Sequence, residues 1–345
     1  MMFVVALTTF LLTGVAIVAS VASRDADAAV EEVTSALEDI FPSRLDKIRG
    51  MYAWEGFVYD IEACQDFPKL VEDFARMRTM GARNVITFDY CGTGADPNYY
   101  DTIISAAGFT GINIIPLVWT LPIHPIGQNY TANDTFAIKS VPRIYALTQA
   151  VIRNPGPVLA VALGDEPLYD DDAGSADALA AYIVQMKASF QGAGLDIPVS
   201  ISDMAYGWQI SGNITSVQDA VDFFMINNLP YFDQNAVWGG DNNSWTSFLN
   251  SIDYFQSLAN GRPLLVTQTG WPSNTNTFAP NSPDVIATVL SEEAFWKLLD
   301  SHCEDYFKPA NIGWMWRNWD DAIDGWGVLY DDGTEKWPIH ARRTC

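Results

Sequence analysis

The sequence predicts a single (β/α)8 barrel, and three observations predict it. Short apolar or β-branched runs alternate with longer amphipathic segments from Gly50 onward. The alternation repeats about eight times, which suits a closed barrel better than an open doubly wound sheet. The 345 residues contain no Pro/Ser/Gly-rich linker, low-complexity run or short repeat that would divide them. No GxGxxG or P-loop follows the first strand, which counts against a nucleotide-binding sheet.

The first unit pairs the run Gly56-Phe57-Val58-Tyr59 with a helical pattern over Phe67 to Met80. Asn84 to Phe88 then leads to a helix near Tyr99 to Ala107. Asn113 to Val118 is followed by a long loop and a helix at Pro142 to Arg153. Val158 to Leu163 precedes Ala176 to Gln191, and Pro198 to Ile201 precedes a short helix at Val217 to Ala220. Phe223 to Ile226 precedes Trp245 to Leu258, Leu264 to Thr267 precedes Asp284 to Leu299, and Asn311 to Trp316 is the last strand. Strands this apolar belong to a parallel sheet covered on both faces.

The formal charge of −23 repels phosphate backbones and anionic lipid, so nucleic acid is not an expected partner, while neutral polysaccharide stays open. Met1 to Ser20 is an apolar run followed by Ser23-Arg24-Asp25, and it reads as a signal peptide, although the usual basic start is missing. Cleavage after Ser23 leaves residues 24–49 as an N-terminal segment and 50–345 as the barrel; cleavage after Ala28 is the other position open. An uncleaved membrane anchor is the alternative. Asn129, Asn133, Asn213 and Asn242 each open an Asn-X-Ser/Thr triplet. The cysteines Cys64, Cys91, Cys303 and Cys345 lack CxxC spacing, and an exported chain would pair them as disulfides. Of the three pairings, Cys64–Cys91 and Cys303–Cys345 close the shortest loops and are expected. His124, His302 and His340 are scattered, so neither a metal nor an organic cofactor is implied.

In such barrels the chemistry lies past the C-terminal ends of the strands. The polar residues there are Asp89, Asp165-Glu166, Asp203, Asn227-Asn228, Gln268 and Arg317-Asn318. A carboxyl at a strand end becomes a general acid if burial or a neighbouring charge raises its pKa. The plainer role for Glu166 is a helix cap or a salt bridge, which two adjacent acids make less comfortable. Trp119, Tyr231, Trp271, Trp316, Trp319 and Trp326 also lie near strand ends. Each alone suits core packing; gathered around a cleft, such rings suit the apolar faces of hexoses.

Several stretches together resemble glycoside hydrolase family 17, the β-1,3-glucanases and fungal-type glucanosyltransferases. They are GFVYD from Gly56, ITFDYCGTGADPNYY from Ile86, LGDEPLY from Leu163, DFFMINNLPYF from Asp222, LLVTQTGWPS from Leu264 and GWGVLYDDGTEKW from Gly325. The resemblance implies that Glu166 is the acid/base and that Gln268 stands where the family carries its nucleophilic Glu. It also implies that Asp165 replaces an Asn that contacts the sugar 2-hydroxyl, so amide and carboxylate have changed places. Asp321 matches a family Glu, Asp324 falls where a Lys is usual, and Arg317 is a new cation near the cleft. Asp165, Asp203, Asn227, Tyr231, Trp271, Trp316 and Asp321 are the expected substrate-binding residues.

A retaining glycosidase needs two carboxyls about 5–5.5 Å apart, and an amide is a poor substitute for one of them. Two functions therefore stand open. One is a secreted, monomeric β-1,3-glucan hydrolase or transglycosylase in which Asp165, Asp203, Asp320 or Asp321 replaces the missing carboxylate. The other is a cell-wall glucan-binding protein that kept the cleft and lost turnover.

Overall fold

The computed structural model describes residues 42–123 and 129–345. The expected signal peptide therefore lies outside the described residues, as does His124. The chain falls into two units, Met1–Lys47 and Ile48–Cys345. Of the first, the described part opens helix α1 (Arg44–Arg49), capped by Ser43, whose Oγ accepts from the Asp46 N–H at 3.1 Å.

The second unit is the barrel. Its strands are β1 (Ala53–Asp60), β2 (Asn84–Phe88), β3 (Asn113–Ile115), β4 (Leu117–Val118), β5 (Val161–Asp165), β6 (Val199–Met204), β7 (Phe224–Asn227), β8 (Leu264–Thr269) and β9 (Gly313–Trp316). All pair in parallel, in the order β3-β2-β1-β9-β8-β7-β6-β5-β4. β3 and β4 form one stave broken at Pro116, which has no N–H to give. The first half pairs with β2 and the second with β5, and a bridge from Ile114 to Val158 closes the ring. The Leu117 N–H is satisfied by the Thr87 side chain, Oγ1 accepting at 2.8 Å. Eight staves thus make the expected (β/α)8 barrel.

The main helices packed outside are α2 (Phe67–Met80), α3 (Pro97–Thr110), α4 (Phe136–Arg153) and α5 (Ala176–Gly192). Two short ones follow β6, α6 (Ala205–Ile210) and α7 (Thr215–Ala220). Then come α8 (Asn242–Ala259), α9 (Val289–Ser301) and the one-turn α10 (Lys308–Ala310). Asp66, Asp96, Ser175, Asp241 and Thr288 cap α2, α3, α5, α8 and α9, each side chain accepting a first-turn N–H. Two helix starts differ most from expectation. α4 begins at Phe136 and carries Pro142 inside it, so the proline does not mark the first turn. α9 begins only at Val289, because Thr288 caps it and the Ser291 hydroxyl donates back to the Ile286 carbonyl at 2.5 Å.

The cysteines pair as the short loops suggested, Cys64 with Cys91 and Cys303 with Cys345. Among the described residues no helix is long and apolar enough to cross a membrane. Asn129, Asn133, Asn213 and Asn242 are all exposed.

Candidate active site

The site is built by the ends of four strands, β5, β7, β8 and β9, and two of them, β5 and β8, are irregular. Along β5 the register with β6 slips between Ala162 and Asp165. Gly164 sits at that bulge with φ +98°, and Glu166 follows with φ +55°. A bulge with a left-handed residue re-aims the side chains after it, and here it turns both Asp165 and Glu166 towards the barrel mouth. A Cβ on Gly164 would stand 2.3 Å from Thr120 Oγ1, so only glycine fits. On β8 the register against β7 slips between Val266 and Gln268, which aims Gln268 inward as well.

These bulges bring Asp165, Glu166, Asn227, Gln268 and Arg317 into one network. The Asn227 amide donates to Asp165 Oδ1 at 3.0 Å and to Glu166 Oε1 at 3.1 Å. One nitrogen touching both oxygens keeps them within about 6 Å of each other, a limit that admits the spacing of a retaining carboxyl pair. Ser202 fixes the orientation of that amide, its hydroxyl donating to Asn227 Oδ1 at 2.6 Å while lying 3.0 Å from Thr267 Oγ1. Gln268 Nε2 donates to the same Asp165 Oδ1, and Gln268 Oε1 accepts from the Arg317 guanidinium at 2.5 Å. Gln268 is fully buried and both ends of its amide are occupied. Among the described residues, Oδ2 of Asp165 accepts no hydrogen bond.

Burial raises the pKa of both acids, and their mutual repulsion adds to it for Glu166, which is pushed up to about 8. The nearby Arg317 charge and the donated hydrogen bonds work the other way, more strongly on Asp165, which accepts two amide N–H groups where Glu166 accepts one. Arg317 and the two amide donors therefore favour the charged form of Asp165 more than that of Glu166. Glu166 is half-buried and can be reached from solvent.

Other expected site residues lie elsewhere. Tyr231, Trp271 and Trp316 are fully buried and present no open ring face. Tyr231 donates to the Phe278 carbonyl at 2.7 Å, Trp271 donates to that of Ile286 at 3.0 Å, and Trp316 packs on Trp296 and Phe295. Core packing, the plainer reading for each ring singly, accounts for all three. Asp203 is fully buried and accepts the N–H groups of Leu168 and Met204 at 2.7 and 2.8 Å, so it braces the loop after Glu166. Asp321 is bound to buried Lys336 at 2.8 Å, and that ammonium also meets Ser273 and Glu292. The open aromatic faces nearby are instead Tyr169 and Tyr206, 43% and 56% exposed with centroids 6.0 Å apart. Tyr169 lines a cavity of about 420 Å³ between the loops after β5 and β6, with Pro167, Asp171 and Ile210. Ser202 and Lys336 were missed; hydroxyls inside the apolar run from Val199 to Met204 were the available signal for the first.

A closed parallel barrel with an acid pair at its strand ends is the architecture of a glycoside hydrolase. The chain belongs to the BtgE/BtgC glycoside hydrolase domain family, whose sequence profile matches residues 53–314. It is similar to a protein of Aspergillus niger named "Probable glucan endo-1,3-beta-glucosidase", at 27% identity over 40% of this chain and 31% of the relative. A namesake from Aspergillus terreus is 24% identical over 71% of this chain and 50% of the relative. The chain thus spans 31% and 50% of the length of these two relatives. In fold it is similar to an active-site mutant of a Rhizomucor miehei beta-1,3-glucanosyltransferase in complex with laminaritriose. That likeness has a TM-score of 0.63 at 21% identity and covers 85% of this chain and 98% of the other. An endo-laminarinase from Formosa gives a TM-score of 0.64 at 15% identity, covering 84% and 86%.

Proposed function

We propose that this protein is a secreted glycoside hydrolase of the family 17 type, acting on β-1,3-glucan of a cell wall, with Glu166 as its general acid. The carrying observation is Glu166 itself, a reachable carboxyl that keeps its proton to about pH 8 beside a second carboxyl within about 6 Å. The names of the relatives support the substrate class. Two disulfides, four exposed glycosylation triplets and the apolar opening run support export.

The test is release of oligosaccharide from soluble β-1,3-glucan by the wild-type chain and by Glu166→Gln. Loss of the acid should lower kcat roughly 10²–10⁴-fold, less for substrates with good leaving groups, which need little protonation. One observation favours the glucan-binding reading, the amide at Gln268 where the resemblance expects a nucleophile. Its signature is retention on insoluble glucan by a wild-type chain that releases no product.

A further inference from the structure

Granted the hydrolase reading, the reaction needs a second carboxyl group, and Gln268 cannot supply it. We propose that Asp165 is that group, the nucleophile that attacks the anomeric carbon, and that Gln268 and Arg317 are positioning residues that aim it and keep it charged.

Access comes first. Gln268 is sealed off behind Asp165, with its amide engaged on both sides. Asp165 keeps 8% exposure, and the two donors on Oδ1 leave Oδ2 free to attack. The other acids raised as replacements are placed wrongly. Asp203 is spent on two backbone N–H groups, and Asp321 is ion-paired to Lys336. Asp320 accepts from the Ala322 N–H, and its charged neighbours are Asp73, Lys69 and Asp321, not Glu166.

Charge balance gives the second reason. Arg317 is 6% exposed, and among the described residues it forms no ion pair within 4.0 Å. Its guanidinium lies 4.6 Å from the Phe88 ring centroid and 5.7 Å from that of Trp326, and its Nε has no hydrogen-bond partner. A buried cation needs a compensating anion. The nearest candidate is one amide away: Arg317 donates to Gln268, and Gln268 donates to Asp165. An amide is neutral, and it can accept from the guanidinium with its oxygen while donating to the carboxylate with its nitrogen. Gln268 therefore passes the polarity of Arg317 on to Asp165 without adding a charge of its own.

The step balances as a double displacement. Asp165 Oδ2 forms a bond to the anomeric carbon as the bond from that carbon to the leaving oxygen breaks, and Glu166 gives its proton to that oxygen. Water then attacks the same carbon, loses a proton to Glu166, and the ester bond to Asp165 breaks. The sugar leaves with its β configuration retained.

Azide rescue on an aryl β-laminaribioside tests the assignment by stereochemistry. Asp165→Ala should lose at least about 10³-fold in kcat on this substrate, and azide should restore turnover as the α-glycosyl azide, the product of one displacement. Glu166→Ala should give the β-glycosyl azide instead, because azide then opens the ester on Asp165. Arg317→Gln should move the acid limb of the kcat/KM profile to higher pH, and Arg317→Lys should move it partly back, which a merely structural arginine would not do. Asp165→Asn with turnover within tenfold of wild type, or a β-glycosyl azide from Asp165→Ala, overturns the proposal and leaves the hydrolase reading standing. A wild-type chain that cleaves neither glucan nor the aryl glycoside removes the hydrolase reading itself.

Discussion

At the scale of single residues, Gln268 is constrained by what its amide does at each end. Gln268→Glu turns the donor facing Asp165 into a second buried anion, so three carboxyls would share one guanidinium. Two of them would stand opposed at hydrogen-bond distance, which raises their pKa values and costs about 1–3 kcal/mol near neutral pH. The thermal midpoint of Gln268→Glu at pH 7 should therefore fall, and the loss should shrink as acidification returns a proton to the pair. The alkaline limb of activity belongs to Glu166. Its acid form persists to about pH 8, so kcat/KM should decline above that pH and not near the ordinary carboxyl value. Much of this cluster was legible in the sequence, because Asp165, Glu166, Asn227 and Gln268 are polar residues ending apolar runs. The burial of Trp271, Trp316 and Tyr231, expected as substrate-binding residues, has a physical reason. Aromatic residues near strand ends fill the space between barrel and helices as readily as they line a cleft, and only burial distinguishes the two.

Among elements, the staves with bulges decide the site. Strand identity and order follow from the alternation of apolar runs, and each stave overlaps the run expected for it, although β5 starts three residues later, at Val161, and reaches Asp165. The bulges were less visible, although a lone glycine within an apolar run, as at Gly164, is their usual mark. Gly164→Ala should be the most damaging small change on β5, since both its φ and the contact with Thr120 exclude a methyl group. A cost of about 2–4 kcal/mol is expected, read by chemical denaturation, with kcat falling further than stability explains because Asp165 and Glu166 would be turned aside. The helix ends differed where a local bond overrode a sequence rule, as at Thr288 and Ser291 ahead of α9.

Across the whole molecule, acidity and burial act in the same direction. Glu55 and Asp60 are each pushed up to about 7 by burial, and Glu166 to about 8. In the unfolded chain these groups ionise near 4, so between roughly pH 4.5 and 8 the folded form holds more protons than the unfolded one. Stability then falls as pH rises through that window, and the charge of −23 adds self-repulsion at its upper end. The thermal midpoint should be higher at pH 5 than at pH 8, and scanning calorimetry at the two values checks it. The broken third stave matters at this scale too. Each half of it ladders with one neighbour, β3 with β2 and β4 with β5, and only the Ile114–Val158 bridge and the Thr87 side chain tie it across, so the ring has a clasp at Pro116. Should that clasp slip, β5 keeps β6 but loses its other edge, and β5 carries the acid pair. Amides of Leu117 and Val118 should exchange with solvent sooner than those of the other staves. Thr87→Val, which removes the acceptor at the clasp, should hasten that exchange and loosen the grip on the sugar long before the barrel unfolds.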